Sequence, residues 1–169
     1  MKIILIGFMG SGKTSVGIQL AKNLAYDFVD TDDLVSQAAN MSIPMIFERH
    51  GETHFRELEI EVARSLRKRS NVVIATGGGM VINNLCIQYL TENKGRVLYL
   101  ESSFREISER VAKQAVERPL FKDSSVALKL YEFRKQLYRQ YSDNIIYTDE
   151  MTLGEVVSKA LTLYEVHKI

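Results

Sequence analysis

The stretch Gly7-Phe8-Met9-Gly10-Ser11-Gly12-Lys13-Thr14 decides the fold. It satisfies G-x-x-x-x-G-K-[ST] at every fixed position and stands between an apolar run and a helical pattern, as such a loop must. Upstream, residues 3–6 (IILI) are β-branched or leucine without alternation, the pattern of a strand covered on both faces in a parallel sheet. Downstream, Val16, Leu20, Ala21 and Leu24 recur at helical spacing. The glycines let the backbone curl so that N–H groups point at phosphate oxygens, and the following helix N-terminus adds a favourable dipole. Gly10, Ser11, Gly12, Lys13, Thr14 and Ser15 are therefore the candidate nucleotide-binding residues, with Lys13 on the β- and γ-phosphates and Thr14 on Mg²⁺. A turn that merely joined strand to helix would need no lysine there.

Working outward, short apolar runs return at residues 28–29, 72–75, 97–100 and 145–147, with helical patterns between them. This alternation predicts an α/β domain with a five-stranded parallel sheet and right-handed crossovers. A length of 169 residues with 46% hydrophobic content fits one domain spanning 1–169. The 22 basic and 21 acidic residues leave a net charge of +1, so no global field draws the protein to nucleic acid or an anionic membrane. The N-terminal apolar run is too short for a signal-peptide core or a membrane span. Cys86, the only cysteine, can form no intramolecular disulfide, which suits a reducing cytoplasm, and reads as a small buried apolar residue.

Nucleotide binding is not yet an activity, because the same loop serves GTPases, ATPases and kinases. Asn93-Lys94-Gly95 is followed by Arg96, where a guanine-reading motif needs an aspartate to accept the base N–H groups. The run 72–75 ends in Thr76 and glycines instead of a magnesium-binding aspartate. The carboxylates must come from Asp30-Thr31-Asp32. On an extended segment residues two apart point the same way, roughly 6–7 Å apart at the backbone. At the carboxyl end of a strand both would face the ligand cleft, Asp30 holding a magnesium-bound water and Asp32 accepting a proton from an attacking hydroxyl. The competing reading is that Asp32 only N-caps the helix running through Leu34 and Val35.

Taken together, the chain resembles the shikimate kinases over nearly its whole length. The segments that carry the resemblance are GFMGSGKTSVG at 7–17, DTD at 30–32, SIPMIFERHGETHFRELE at 42–59, ATGGG at 75–79, RPLF at 118–121 and FRKQLY at 133–138. The resemblance implies a three-layer P-loop kinase fold with helices on both faces of the sheet and a mobile lid. It further implies transfer of the ATP γ-phosphoryl group to the 3-hydroxyl of shikimate, in aromatic amino-acid biosynthesis, with Mg²⁺, by a cytoplasmic monomer. It carries Asp32 over to the acceptor hydroxyls, Arg56 and Arg134 to the acceptor carboxylate, and Gly77, Gly78 and Gly79 to backbone contacts. Arg118 becomes the lid arginine, acting with Lys13 and Asp32 in catalysis, and Arg110 falls near the adenine. The acceptor-binding segment spans about residues 31–60 and the lid about 112–123.

Several of these assignments make independent physical sense. Arg56 and Glu59 are three apart on the helix after Gly51, so the carboxylate can hold the guanidinium ready for a planar anion; an ordinary surface pair would look the same. Arg134 projects among Leu130, Leu137, Tyr138 and Tyr141, either for a ligand or as a snorkelling core-edge arginine. The triple glycine suits close approach of a ligand, or an ordinary turn. Residues 112–123 are polar and carry Lys113, Arg118 and Lys122, as a lid or a plain loop would. Two residues depart from the family pattern, Asn40 for a glycine whose left-handed backbone Asn tolerates, and Phe121 for a leucine in the lid. Pro44 fits a first helical turn.

His50 and His54 have helical metal-pair spacing but lack the glutamate and a third ligand. Arg64, Arg67, Lys68 and Arg69 gather at a predicted helix end, where they complement the dipole. The rival functions are phosphorylation of another acceptor, such as gluconate or a nucleoside monophosphate, and a nucleotide-binding module without turnover.

Overall fold

An apolar run without alternation must lie where both faces of a sheet are covered, and β1 (Lys2–Ile6) is buried throughout. It is the central strand of five parallel strands in the order β2-β3-β1-β4-β5. The others are β2 (Asp27–Asp30), β3 (Val72–Ala75), β4 (Gly95–Glu101) and β5 (Asn144–Tyr147). The computed structural model describes residues 1–113, 121 and 123–166.

Because side chains alternate across a strand, the sheet builds two cores. Ile4, Ile6, Val72, Ile74, Val97 and Tyr99 pack on one face against α2 (Thr31–Ala39), α3 (Ile43–Leu66), α4 (Asn84–Thr91), α5 (Phe104–Ala112) and α6 (Ser124–Tyr141). Ile3, Leu5, Val73, Leu98 and Leu100 pack on the other against α1 (Lys13–Leu24) and α7 (Leu153–Val166). These are the three layers that the sequence predicts, with five strands as counted. Among the described residues no helix is long and apolar enough to cross a membrane.

Local signals hold where they can be checked. Asn40 closes α2 with a left-handed backbone (φ 50°). Ser42 precedes α3 and Pro44 lies in its first turn. Gly51 (φ 78°, ψ 178°) breaks α3, so the segment bearing Arg56 and Glu59 starts afresh behind it. Arg64 lies in the last turn of α3, and Cys86 is fully buried. Burial pushes its thiol up to about 12.

Lys2 does more than the sequence suggests. Its side chain is fully buried, and Nζ donates to the carbonyls of Leu66 and Arg67 at 3.1 and 2.8 Å. Both carbonyls lie at the end of α3, where that of Leu66 also accepts from the Arg69 N–H at 3.1 Å, so the ammonium adds a donor there and complements the helix dipole. Burial lowers the Lys2 pKa, and Glu92 opposes the shift. The expected lid falls between the end of α5 at Ala112 and the start of α6, where Asp123 caps by accepting from Ser125 and Val126 N–H. Of that segment, residues 114–120 and 122, Arg118 included, lie outside the described residues.

Candidate active site

The loop between β1 and α1 bends back through a Ser11 N–H to Phe8 carbonyl bond of 3.1 Å. Gly10 and Gly12 hold positive φ (81° and 91°), and no side chain caps the N-terminus of α1. The first N–H groups of that helix are thus left for a ligand. Lys13 folds over the loop, Nζ donating to the carbonyls of Gly7 and Phe8 at 2.8 and 2.9 Å. Thr14 Oγ1 donates to Asp30 Oδ2 at 2.9 Å, which joins the two residues that the sequence assigns to a metal. The loop forms one wall of a cleft of about 700 Å³, within the usual range for a small-molecule site. Gly10, Ser11, Gly12, Lys13, Thr14, Ser15, Asp30, Asp32, Gly78 and Arg110 all line it.

Asp30 and Asp32 come together differently from the extended segment expected. The chain enters α2 at Thr31, so Asp32 belongs to the first helical turn and not to the strand. The cause is Asp30 itself, whose Oδ1 accepts from the Asp32 N–H at 3.0 Å and starts the helix. Asp30, not Asp32, is the N-cap, and this removes the capping explanation for Asp32. The Asp32 carboxylate instead faces Gly77, where a Cβ would collide with its Oδ1.

Beside Gly78, which lines the cleft, side chains of α3 and α6 meet the glycine turn after β3. Arg56 Nη1 meets Glu59 Oε2 at 2.7 Å, and Nη2 meets Glu52 Oε1 at 2.8 Å. Glu59 is only 1% exposed, which makes it no surface pair. Burial raises the Glu59 pKa, with Arg56 opposing. Burial pulls Arg56 down, but bonds to Glu59 and Glu52 outweigh it and raise the net value. Arg134 is 6% exposed, with its guanidinium carbon 5.8 Å from the Phe8 ring centroid. Burial lowers its pKa, while Tyr138 and Glu59 oppose. A Cβ on Gly79 would lie 2.6 Å from Arg56 Nη1 and 3.2 Å from Arg134 Nη2, so both guanidiniums converge on this turn. Among the described residues, Glu59 Oε1 and Arg134 Nε are buried without a hydrogen-bond partner. Buried polar groups are ordinarily paired, so these two have bonding capacity left over beside the glycine turn.

Other predicted residues sit nearby with more ordinary partners. Arg110 pairs with Glu106 at 3.0 Å and donates to Ser102 Oγ and the Thr148 carbonyl at 3.2 and 3.4 Å, on the cleft wall. Phe121 stacks on Phe104 with centroids 6.1 Å apart and meets Phe8 edge-on at 6.4 Å. The His50 and His54 rings lie 5.1 Å apart, and His54 pairs with Glu57 at 3.5 Å. Sequence reasoning missed Glu52, whose four-residue spacing to Arg56 was available as a signal. It also missed the apolar end of the cleft, Met151, Leu153 and Val156, which follows β5 and carries no motif.

Against known families, the shikimate kinase model matches residues 9–165. A shikimate kinase of Aquifex aeolicus is 41% identical over 139 residues, covering 82% of each chain. That of Thermodesulfovibrio yellowstonii is 39% identical over 166 residues, covering 96% of this chain and 94% of its own. Among solved structures, shikimate kinase from Acinetobacter baumannii in complex with shikimate superposes with a TM-score of 0.90 at 32% identity, over 99% of this chain and 94% of that one. With the phosphate loop and the acidic pair on one cleft, and Arg56 and Arg134 meeting beside its Gly78 wall, the chain belongs to the shikimate kinase family.

Proposed function

We propose that this chain transfers the γ-phosphoryl group of ATP to the 3-hydroxyl of shikimate, giving shikimate 3-phosphate and ADP. Family membership makes it an ATP-dependent kinase with a small-molecule acceptor. The observation that carries the residue-level reading is the meeting of Arg56 and Arg134 at Gly79, next to Gly78, which lines the same cleft as Asp32 and the phosphate loop. Two guanidiniums suit a planar carboxylate, and a carboxylate between them and the phosphate loop suits a hydroxyl.

In this reading Gly10, Ser11, Gly12, Lys13, Thr14 and Ser15 bind the phosphates, and Arg110 faces the adenine across from Met151, Leu153 and Val156. Asp32 takes the proton of the acceptor hydroxyl as its oxygen bonds to the γ-phosphorus and the bond to the bridging oxygen of ADP breaks. Lys13 offsets the charge that develops on the transferred group, and Arg118 would join it from the lid. Gly78 and Gly79 bring backbone against the acceptor, with Gly77 leaving room for Asp32. The donor set fits magnesium, since Thr14 Oγ1 and Asp30 Oδ2 are adjacent hard oxygens while Oδ1 is committed to the helix cap. Held by Thr14 and, through water, by Asp30, Mg²⁺ would supply positive charge that offsets the charge of the phosphates. One chain supplies both ends of the cleft, which supports a monomer, and the near-zero net charge supports a cytoplasmic enzyme without nucleic-acid or membrane partners.

The direct test is product analysis after incubation with ATP, Mg²⁺ and shikimate, with gluconate and a nucleoside monophosphate run in parallel. Shikimate 3-phosphate and ADP in equal amounts, with no product from the other acceptors, is the expected result. No consumption of ATP in the presence of shikimate would overturn the reading.

A further inference from the structure

Tyr138 lies one helical turn after Arg134 on α6 and is fully buried. Its ring packs against Tyr99 of β4, centroids 5.1 Å apart, so the phenol has a fixed direction. The hydroxyl donates to the Gly78 carbonyl at 2.5 Å, and Arg134 Nη1 lies 3.7 Å from where a Cβ on Gly78 would stand. Tyr138 and the arginine of α6 therefore meet at the same glycine, close enough for the phenol to act on the guanidinium.

The two arginines of the site are held in contrasting ways. Arg56 has two carboxylates, Glu59 and Glu52, within hydrogen-bond distance. Arg134 has a phenol and the face of Phe8. A carboxylate holder cancels part of the charge that it orients, whereas a phenol fixes direction and leaves the cation intact. Arg134 is buried, is repelled by Arg56, and keeps Nε without a partner among the described residues. A buried cation in that state gains most from an arriving anion, because its desolvation is already complete.

We infer that Tyr138 is a positioning residue for the acceptor, aiming Arg134 past Gly78 so that the acceptor carboxylate meets a guanidinium with no bonded counter-charge. This rests on the reading of Arg56 and Arg134 as the carboxylate site. Tyr138→Phe removes the phenol oxygen and keeps the ring.

Steady-state kinetics on the full chain, for Tyr138→Phe, Arg134→Ala and the double variant, test it. Tyr138→Phe is expected to raise the shikimate KM about tenfold, as loss of a hydrogen bond to a charged group should. The ATP KM should stay within about twofold and kcat should fall less than about threefold. In the Arg134→Ala background the same substitution should change the shikimate KM by less than about twofold, because its target is gone. An unchanged shikimate KM in Tyr138→Phe, or an equal rise without Arg134, overturns the inference. An Arg134→Ala chain with normal shikimate KM instead overturns the carboxylate reading beneath it. Should Tyr138→Phe fail to fold by circular dichroism, 3-fluorotyrosine at 138 keeps the hydroxyl while weakening its oxygen as an acceptor. The shikimate KM must rise there too, and no change would overturn the inference.

Discussion

Gly12 lines the cleft and Gly79 follows Gly78 on its wall, and they are glycines for opposite reasons. At Gly12 the backbone is left-handed (φ 91°), yet nothing lies within 4 Å of where a Cβ would stand. At Gly79 the backbone is ordinary (φ −96°, ψ −8°), yet a Cβ would meet Arg56 at 2.6 Å. The phosphate end needs a conformation and the acceptor end needs room. Main-chain N–H groups can be presented by one continuous loop, and they greet any polyphosphate alike. In the proposed reading, discrimination among acceptors takes side chains of α2, α3 and α6 converging on the glycine turn after β3, so crowding is the natural cost of selectivity.

That difference can be tested from its largest consequence downward. Asp32→Asn should lower kcat by about 10²- to 10⁴-fold, the range for a lost general base, with the ATP KM nearly unchanged. A loss below about threefold would leave the acceptor end without its base. Gly79→Ala should raise the shikimate KM by about 10- to 100-fold through displacement of the guanidiniums, again sparing ATP. Gly12→Ala should do the reverse. A left-handed alanine costs about 1–2 kcal/mol, so the ATP KM should rise about tenfold, and Gly12→Asn, which tolerates that backbone, should cost less. If Gly12→Ala weakened shikimate and not ATP, the division of labour would be wrong. Glu52→Gln should change the shikimate KM by only about twofold, because Glu52 is 65% exposed and Glu59 still holds Arg56.

The same division explains what could be read in advance. The phosphate loop is contiguous, so its residues declare themselves by spacing, and the unbroken IILI run declares a strand covered on both faces. The acceptor residues carry only local hints. The three-residue step from Arg56 to Glu59 was readable as a pair, but not that Glu59 would be 1% exposed. Asp32 was read on the strand because a carboxylate that starts a helix and one that extends a strand look alike in sequence. Only the Asp30 to Asp32 N–H bond separates them. Tyr138 looked like one more core aromatic, since its hydroxyl partner Gly78 lies sixty residues away. The place of Lys2 was not legible, because its two carbonyl acceptors come from a helix end that periodicity cannot locate to the residue.

The two oxygens of Asp30 make that position resistant to exchange. One oxygen serves Thr14 and the other begins the helix that carries Asp32. Asparagine would preserve the cap and surrender the charge; glutamate would preserve the charge and surrender the cap, since its longer arm is a poor starter of helices. No single natural replacement keeps both duties. Glutamate at this position therefore also redraws the path of the chain into the proposed acceptor site, whereas asparagine lets an experimenter remove the charge beside Thr14 without disturbing that path.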